Sequence, residues 1–98
     1  MRFASCMAPN AEPLFVETAN YVASALGLEV VIAHDANWEQ REQDLDSGRT
    51  EVGWICGLPY VWKADAPSTG IELLAAPVMA AGRYQNNPVY FSDAIVRA

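Results

Sequence analysis

Two cysteines and a single histidine are the residues best equipped for chemistry in this chain, and each falls where a strand should end. Cys6 sits in the run RFASCM, His34 follows LEVVIA, and Cys56 follows EVGWI. Gathered at one sheet edge, the three would suffice for a zinc site or a thiolate–imidazole pair. The two cysteines lie too far apart in sequence, however, to match a local zinc or redox spacing. Cysteine also serves commonly as a small buried residue, and a strand-end histidine as a hydrogen-bonded structural one. The structural reading is the one adopted, so no catalytic residue, metal or cofactor is expected. Glu39, Glu42, Asp44 and Asp46 share one polar stretch and read as a solvated helix face. Dinucleotide and Walker-type phosphate loops are both missing from the sequence.

The elements that must position these residues are punctuated regularly. A first strand over 2–7 ends at Pro9-Asn10, and Asn10 is the expected N-cap of a helix carrying Glu12 and Pro13 in its first turn. Phe15, Ala19, Val22 and Leu26 recur at helical spacing, and Gly27 supplies a left-handed stop. LEVVIA, 28–33, is apolar almost throughout, the pattern of a parallel strand covered on both faces. A second helix runs from Trp38 to about Ser47, with Asn37 and Gln40 forming a capping-box pattern and Gly48 closing it. Strand three is 51–55, a third helix starts near Leu58-Pro59, and IELLAAPV, 71–78, is the fourth strand. The segment 81–98 is a polar loop followed by VYFSDAIV, 89–96, which is strand-like with no helix after it.

Alternating strands and helices with short connectors give an α/β fold: an open, mainly parallel sheet with helices on both faces. The 98 residues make a single lobe, 52% hydrophobic and 18% charged, in the globular range. A net charge of −6 and the lack of any basic run argue against a nucleic-acid partner. A small anion is still admissible, because helix N-termini can hold one without net positive charge. No signal peptide or membrane-spanning run is read, so the compartment is unknown from the sequence.

In open α/β sheets a ligand lies beyond the carboxyl ends of the strands. Here those ends are Ser5-Cys6-Met7, His34-Asp35 and Ile55-Cys56-Gly57. Two helix N-termini, near Asn37 and near Gly57-Leu58, open on the same edge. Trp54 is expected in the core, and one of Tyr60 and Trp62 should pack. Trp38 either walls a ligand or staples the entry of its helix.

The ordered set WEQREQDLDSGRTEVGWICGLPYVWKA, IELLAAPVM and PVYFSDAIV resembles the N-terminal part of ABC-transporter substrate-binding proteins. The likeness is to the phosphate/phosphite/phosphonate type, of the type 2 periplasmic-binding-protein, transferrin-like fold. It implies a lobe that closes with a second lobe on a small oxyanion. The implied ligand-binding positions are Ser5, Trp38 and the corner Ile55, Cys56 and Gly57, with Tyr90 and Ser92 on the hinge segment. Ile55 and Cys56 depart from the aromatic or hydroxyl residues that family members often carry at the corner. The implied strand order is 2-1-3-5-4, with the last strand antiparallel or swapped between copies. Such receptors are much longer, so 1–98 is expected to be truncated or solitary and to bind weakly. Three partners are implied: the oxyanion, a transporter membrane component in a full receptor, and a second copy paired through 89–96. The family is periplasmic or cell-surface, and a stand-alone lobe would be cytoplasmic. A stand-alone dimerising interaction protein is the competing expectation.

Overall fold

One aromatic and two small residues, Phe3, Ala4 and Ser5, are buried in Arg2–Ser5 (β1), the central strand of the sheet. It pairs in parallel with Val31–Ile32 (β2) on one side and Val52–Trp54 (β3) on the other, giving the order β2-β1-β3. Phe3 is the register point, opposite both Ile32 and Val52. The computed structural model describes residues 1–67, 70–89, 91, 93 and 95. Three helices alternate with the strands: α1 (Glu12–Leu26), α2 (Trp38–Asp46) and α3 (Gly57–Asp65). The chain is therefore α/β with a small open parallel sheet.

Side-chain alternation along β1 and β3 sends successive residues to opposite faces. Phe3 and Trp54 meet Phe15 of α1 at ring-centroid distances of 6.4 and 6.1 Å. Phe3, Phe15 and Ala19 form the buried centre on that face, with Val22, Val30, Ile32 and Val52 packed around it. On the other face Gly53 lies under Leu45 of α2, and Arg2 faces Asp44 of the same helix. Helices cover both faces, as the alternating pattern predicts.

The helix ends follow their local chemistry, with one exception. Gly27 and Gly48 take the left-handed φ values of 64° and 73° that stop α1 and α2. Asn37 caps α2 by accepting from Gln40 N–H at 2.8 Å. The return half of the capping box is not made, because Gln40 Nε2 donates instead to Asp44 at 2.7 Å. Asn10 is not a cap: a 3-10 turn over Pro9–Ala11 leads directly into α1, and Ala11 holds the cap position without a side-chain bond. Proline starts the turn early, which carries Asn10 inside it.

α2 is less solvated than its composition suggests. Asp44 is only 6% exposed and accepts from Arg49 Nε and Nη2 at 2.9 and 2.6 Å as well as from Gln40. Its carboxyl is held below the usual range, first by the Arg49 bonds and then by Gln40. Glu42 and Asp46 grip the buried Lys63 of α3 at 3.2 and 2.5 Å. Burial opposes the charged form of Lys63, but the bonds to Asp46 and Glu42 outweigh it and raise its pKa. Glu39 and Asp46 are exposed as the solvated reading expects, whereas Asp44 is buried and Glu42 half-buried. α3 thus meets α2 through its lysine, and Leu58, Val61 and Trp62 face outward at 54%, 48% and 65% exposure.

The second half of the chain departs furthest from expectation. Only two residues of 28–33 pair, and Val31 at this sheet edge is 52% exposed rather than covered on both faces. Residues 71–78 make no ladder among the described residues; only Ile71 of them is part-buried. Among the described residues nothing pairs with the outer edge of β3. Positive φ at Gln85 and Asn86 reverses the chain after a 3-10 turn at Gly82–Tyr84. Arg83 then holds Asp93 through two 3.0 Å bonds and stacks 4.4 Å from the centre of the Phe91 ring. This local closure occupies Phe91 and Asp93, so they join no ladder; Tyr90, Ser92, Ala94 and Val96 of the expected last strand lie outside the described residues. No helix among the described residues is long and apolar enough to cross a membrane.

A Cβ at Gly53 would stand 2.7 and 2.8 Å from the Leu45 methyl carbons. Gly53→Ala should therefore destabilise the fold by about 1–3 kcal/mol in urea unfolding, and pairing it with Leu45→Ala should give less than the sum of the single effects. Asp44 supplies a pH test. Its folded carboxyl binds a proton less tightly than the unfolded one, so its contribution is complete above about pH 4 and is lost as pH falls through the folded value. The stability gap between wild type and Asp44→Asn should be widest near neutral pH and shrink as the solution is made acidic enough to protonate the folded carboxyl; a gap that grows in acid would refute this.

Candidate functional site

The exit of β1 organises the carboxyl edge of the sheet. Cys6 N–H continues the ladder by donating to Trp54 O at 2.8 Å, which draws the start of the β3–α3 corner alongside. Trp38, the first residue of α2, crosses from the other side, its indole Nε1–H donating to Cys6 O at 3.3 Å. Half of its surface remains exposed. Arg41, one helical turn later on the same face, donates from Nη1 to Ser5 O and from Nε to Ala36 O, each at 2.7 Å.

Of the expected site residues, Ser5 is 2% exposed and its hydroxyl accepts from Met7 N–H at 3.3 Å. Burial turns that side chain into the chain's own bend, so Ser5 contributes its backbone to the edge rather than an open hydroxyl. Ile55 is half-buried, while Cys56 and Gly57 are exposed at the start of α3. Cys56 Sγ lies 3.3 Å from Met7 Sδ. Cys56 takes the cap position of α3 without a side-chain bond to the first turn, and Pro59 in that turn has no N–H to satisfy. Trp38, Cys56 and Gly57 thus gather around Cys6-Met7. Tyr90 and Ser92 lie outside the described residues.

Cys6, His34 and Cys56 do not converge. His34 Nδ1 is 3.0 Å from Glu12 Oε1 and Cys56 is engaged with Met7. Among the described residues no group of three His, Cys, Asp or Glu side chains is placed to hold a metal. Burial, followed by the nearby Glu42 carboxylate, pushes the Cys6 thiol pKa up. Tyr60 is half-buried and Trp62 exposed, so Tyr60 is the packed member of that pair.

Sequence reasoning placed Met7 at this edge but missed Arg41 and Glu12 as site residues. Arg41 had a readable signal: it is the one cation of an otherwise acidic or neutral helix and lies three residues after Trp38. A cleft of about 280 Å³ opens between Met7, Pro9, Glu12, His34 and Arg41. A much larger groove, about 1420 Å³, runs between β3, the outer flank of α1 and residues 70–77. Comparison with known proteins finds no matching family model, curated relative or solved structure.

The two thiols should differ in reactivity. Iodoacetamide at mildly alkaline pH should label exposed Cys56 well before Cys6, whose raised pKa and partial burial both slow attack. Peptide mapping by mass spectrometry checks the order, and equal or reversed labelling contradicts it.

Proposed function

We propose that this chain is an oxyanion-binding lobe of the periplasmic-binding-protein type, taking phosphate, phosphite or a phosphonate at the carboxyl edge of its sheet. The observation that carries the reading is the α3 corner, where exposed Cys56 and Gly57 open a helix with no side-chain cap beside the half-exposed ring of Trp38. First-turn N–H groups attract negative charge, and small corner residues let an anion approach them. A ligand would touch Trp38, Cys56 and Gly57, with Ile55 and the Ser5 backbone supporting them and Tyr90 and Ser92 contributing from the hinge. The described residues supply one wall of such a cleft, so affinity is weak until a second lobe closes on it. In a full receptor the closed form would engage a transporter membrane component; neither catalysis nor nucleic acid enters this reading.

The same proposal completes the sheet. Its first three strands stand in the order β2-β1-β3. The large groove lies along β3 and is flanked by 70–77, so an antiparallel fifth strand entering there would give 2-1-3-5-4 and let 71–78 dock outside it. The outward Leu58, Val61 and Trp62 of α3, and the exposed Leu73 and Leu74, favour a second reading. In that reading a solitary lobe dimerises, each copy's 89–96 filling the other's groove.

Isothermal calorimetry with phosphate, phosphite and methylphosphonate, run beside sedimentation velocity, separates the two. The receptor reading expects measurable heat with Kd of about millimolar. Absence of heat from all three anions together with a tight dimer would overturn it in favour of the dimerising protein.

A further inference from the structure

The cleft formed by the exit of β1, the start of α1 and the end of β2 shares no residue with the oxyanion site proposed above. Its charges are of both signs. Arg41 is fixed by two backbone carbonyls, leaving Nη2 without a partner among the described residues. Holding the guanidinium in advance removes much of the ordering cost of binding. Glu12, which lines the same cleft, uses Oε1 for His34, leaving Oε2 without a partner among the described residues. Met7 and Pro9 complete the lining with apolar surface. A simple anion entering here gains Arg41 but meets the Glu12 carboxylate, and a phosphate dianion meets that repulsion twice over. A short zwitterion matches both signs at once.

We propose that this cleft binds a small amino carboxylate, with Arg41 taking the carboxylate and Glu12 the ammonium. Met7 and Pro9 flank the short carbon chain between them. The site is independent of the anion position at the α3 corner.

Calorimetric titration of the full chain with β-alanine and glycine tests this, with propionate and acetate as the counterparts lacking an amine. β-Alanine should bind about tenfold or more tighter than propionate, the gain expected of one charge-assisted contact. Glu12→Gln should erase that preference while leaving propionate binding unchanged or stronger, and Arg41→Gln should weaken both ligands. Arg41 also ties Ser5 and Ala36, so the Glu12→Gln result decides if the arginine variant unfolds. Equal affinity for β-alanine and propionate, absence of heat from either, or a preference that survives Glu12→Gln would overturn the proposal. A phosphate arm keeps the two sites distinct: phosphate heat without β-alanine heat removes this cleft and leaves the oxyanion reading standing.

Discussion

The Asp44 carboxylate is the constraint on which the placement of α2 rests. The apolar content of that helix reduces to Trp38 and Leu45, so polar contacts to the sheet carry much of its attachment. Asp44 reaches Arg49 in the following loop and lies 3.7 Å from Arg2 of β1, while its backbone carbonyl accepts from Thr50 N–H at 2.9 Å. These contacts tie helix, central strand and the entry to β3 into one unit. Gly53 then lets Leu45 descend onto the sheet where any larger residue would hold it off. A buried carboxylate needs such partners, since unpaired it would be strongly unfavourable.

The geometry of the carboxyl edge follows from that anchoring. Once α2 is fixed, Trp38 and Arg41 fall three residues apart on one face and reach the carbonyls of Cys6 and Ser5. The edge is therefore built largely from backbone acceptors satisfied by side chains, and the side chains left over face outward. That division explains why Ser5, in sequence a natural hydroxyl ligand, is turned inward, while Arg41 and Glu12 line an open cleft.

α3 shows the competition between charge and apolar surface. Lys63 is buried because Glu42 and Asp46 of α2 present two carboxylates to it, whereas Leu58, Val61 and Trp62 remain in water. Hydrophobic burial normally dominates such a choice. Here Leu58, Val61 and Trp62 stay exposed, and no strand among the described residues pairs with the outer edge of β3.

Local signals in the sequence were enough to place what depends on neighbouring residues. Gly27 and Gly48 mark helix ends because only a left-handed residue closes them, Asn37 caps α2 through a bond three residues long, and the spacing of Phe15 and Ala19 selects the buried face of α1. The α/β class and the parallel pairing follow from the same alternation, whereas the order of the first three strands came only from the family resemblance. Long-range partnership was decided only in three dimensions. Asp44 reads as a surface acid until Arg49 and Arg2 close on it, and the separate engagements of His34 by Glu12 and of Cys56 by Met7 are not visible in the sequence. IELLAAPV has every local mark of a strand and makes no ladder among the described residues. Strand propensity is a property of the segment, but a ladder needs a second backbone beside it, and the residues alone do not say whether one arrives.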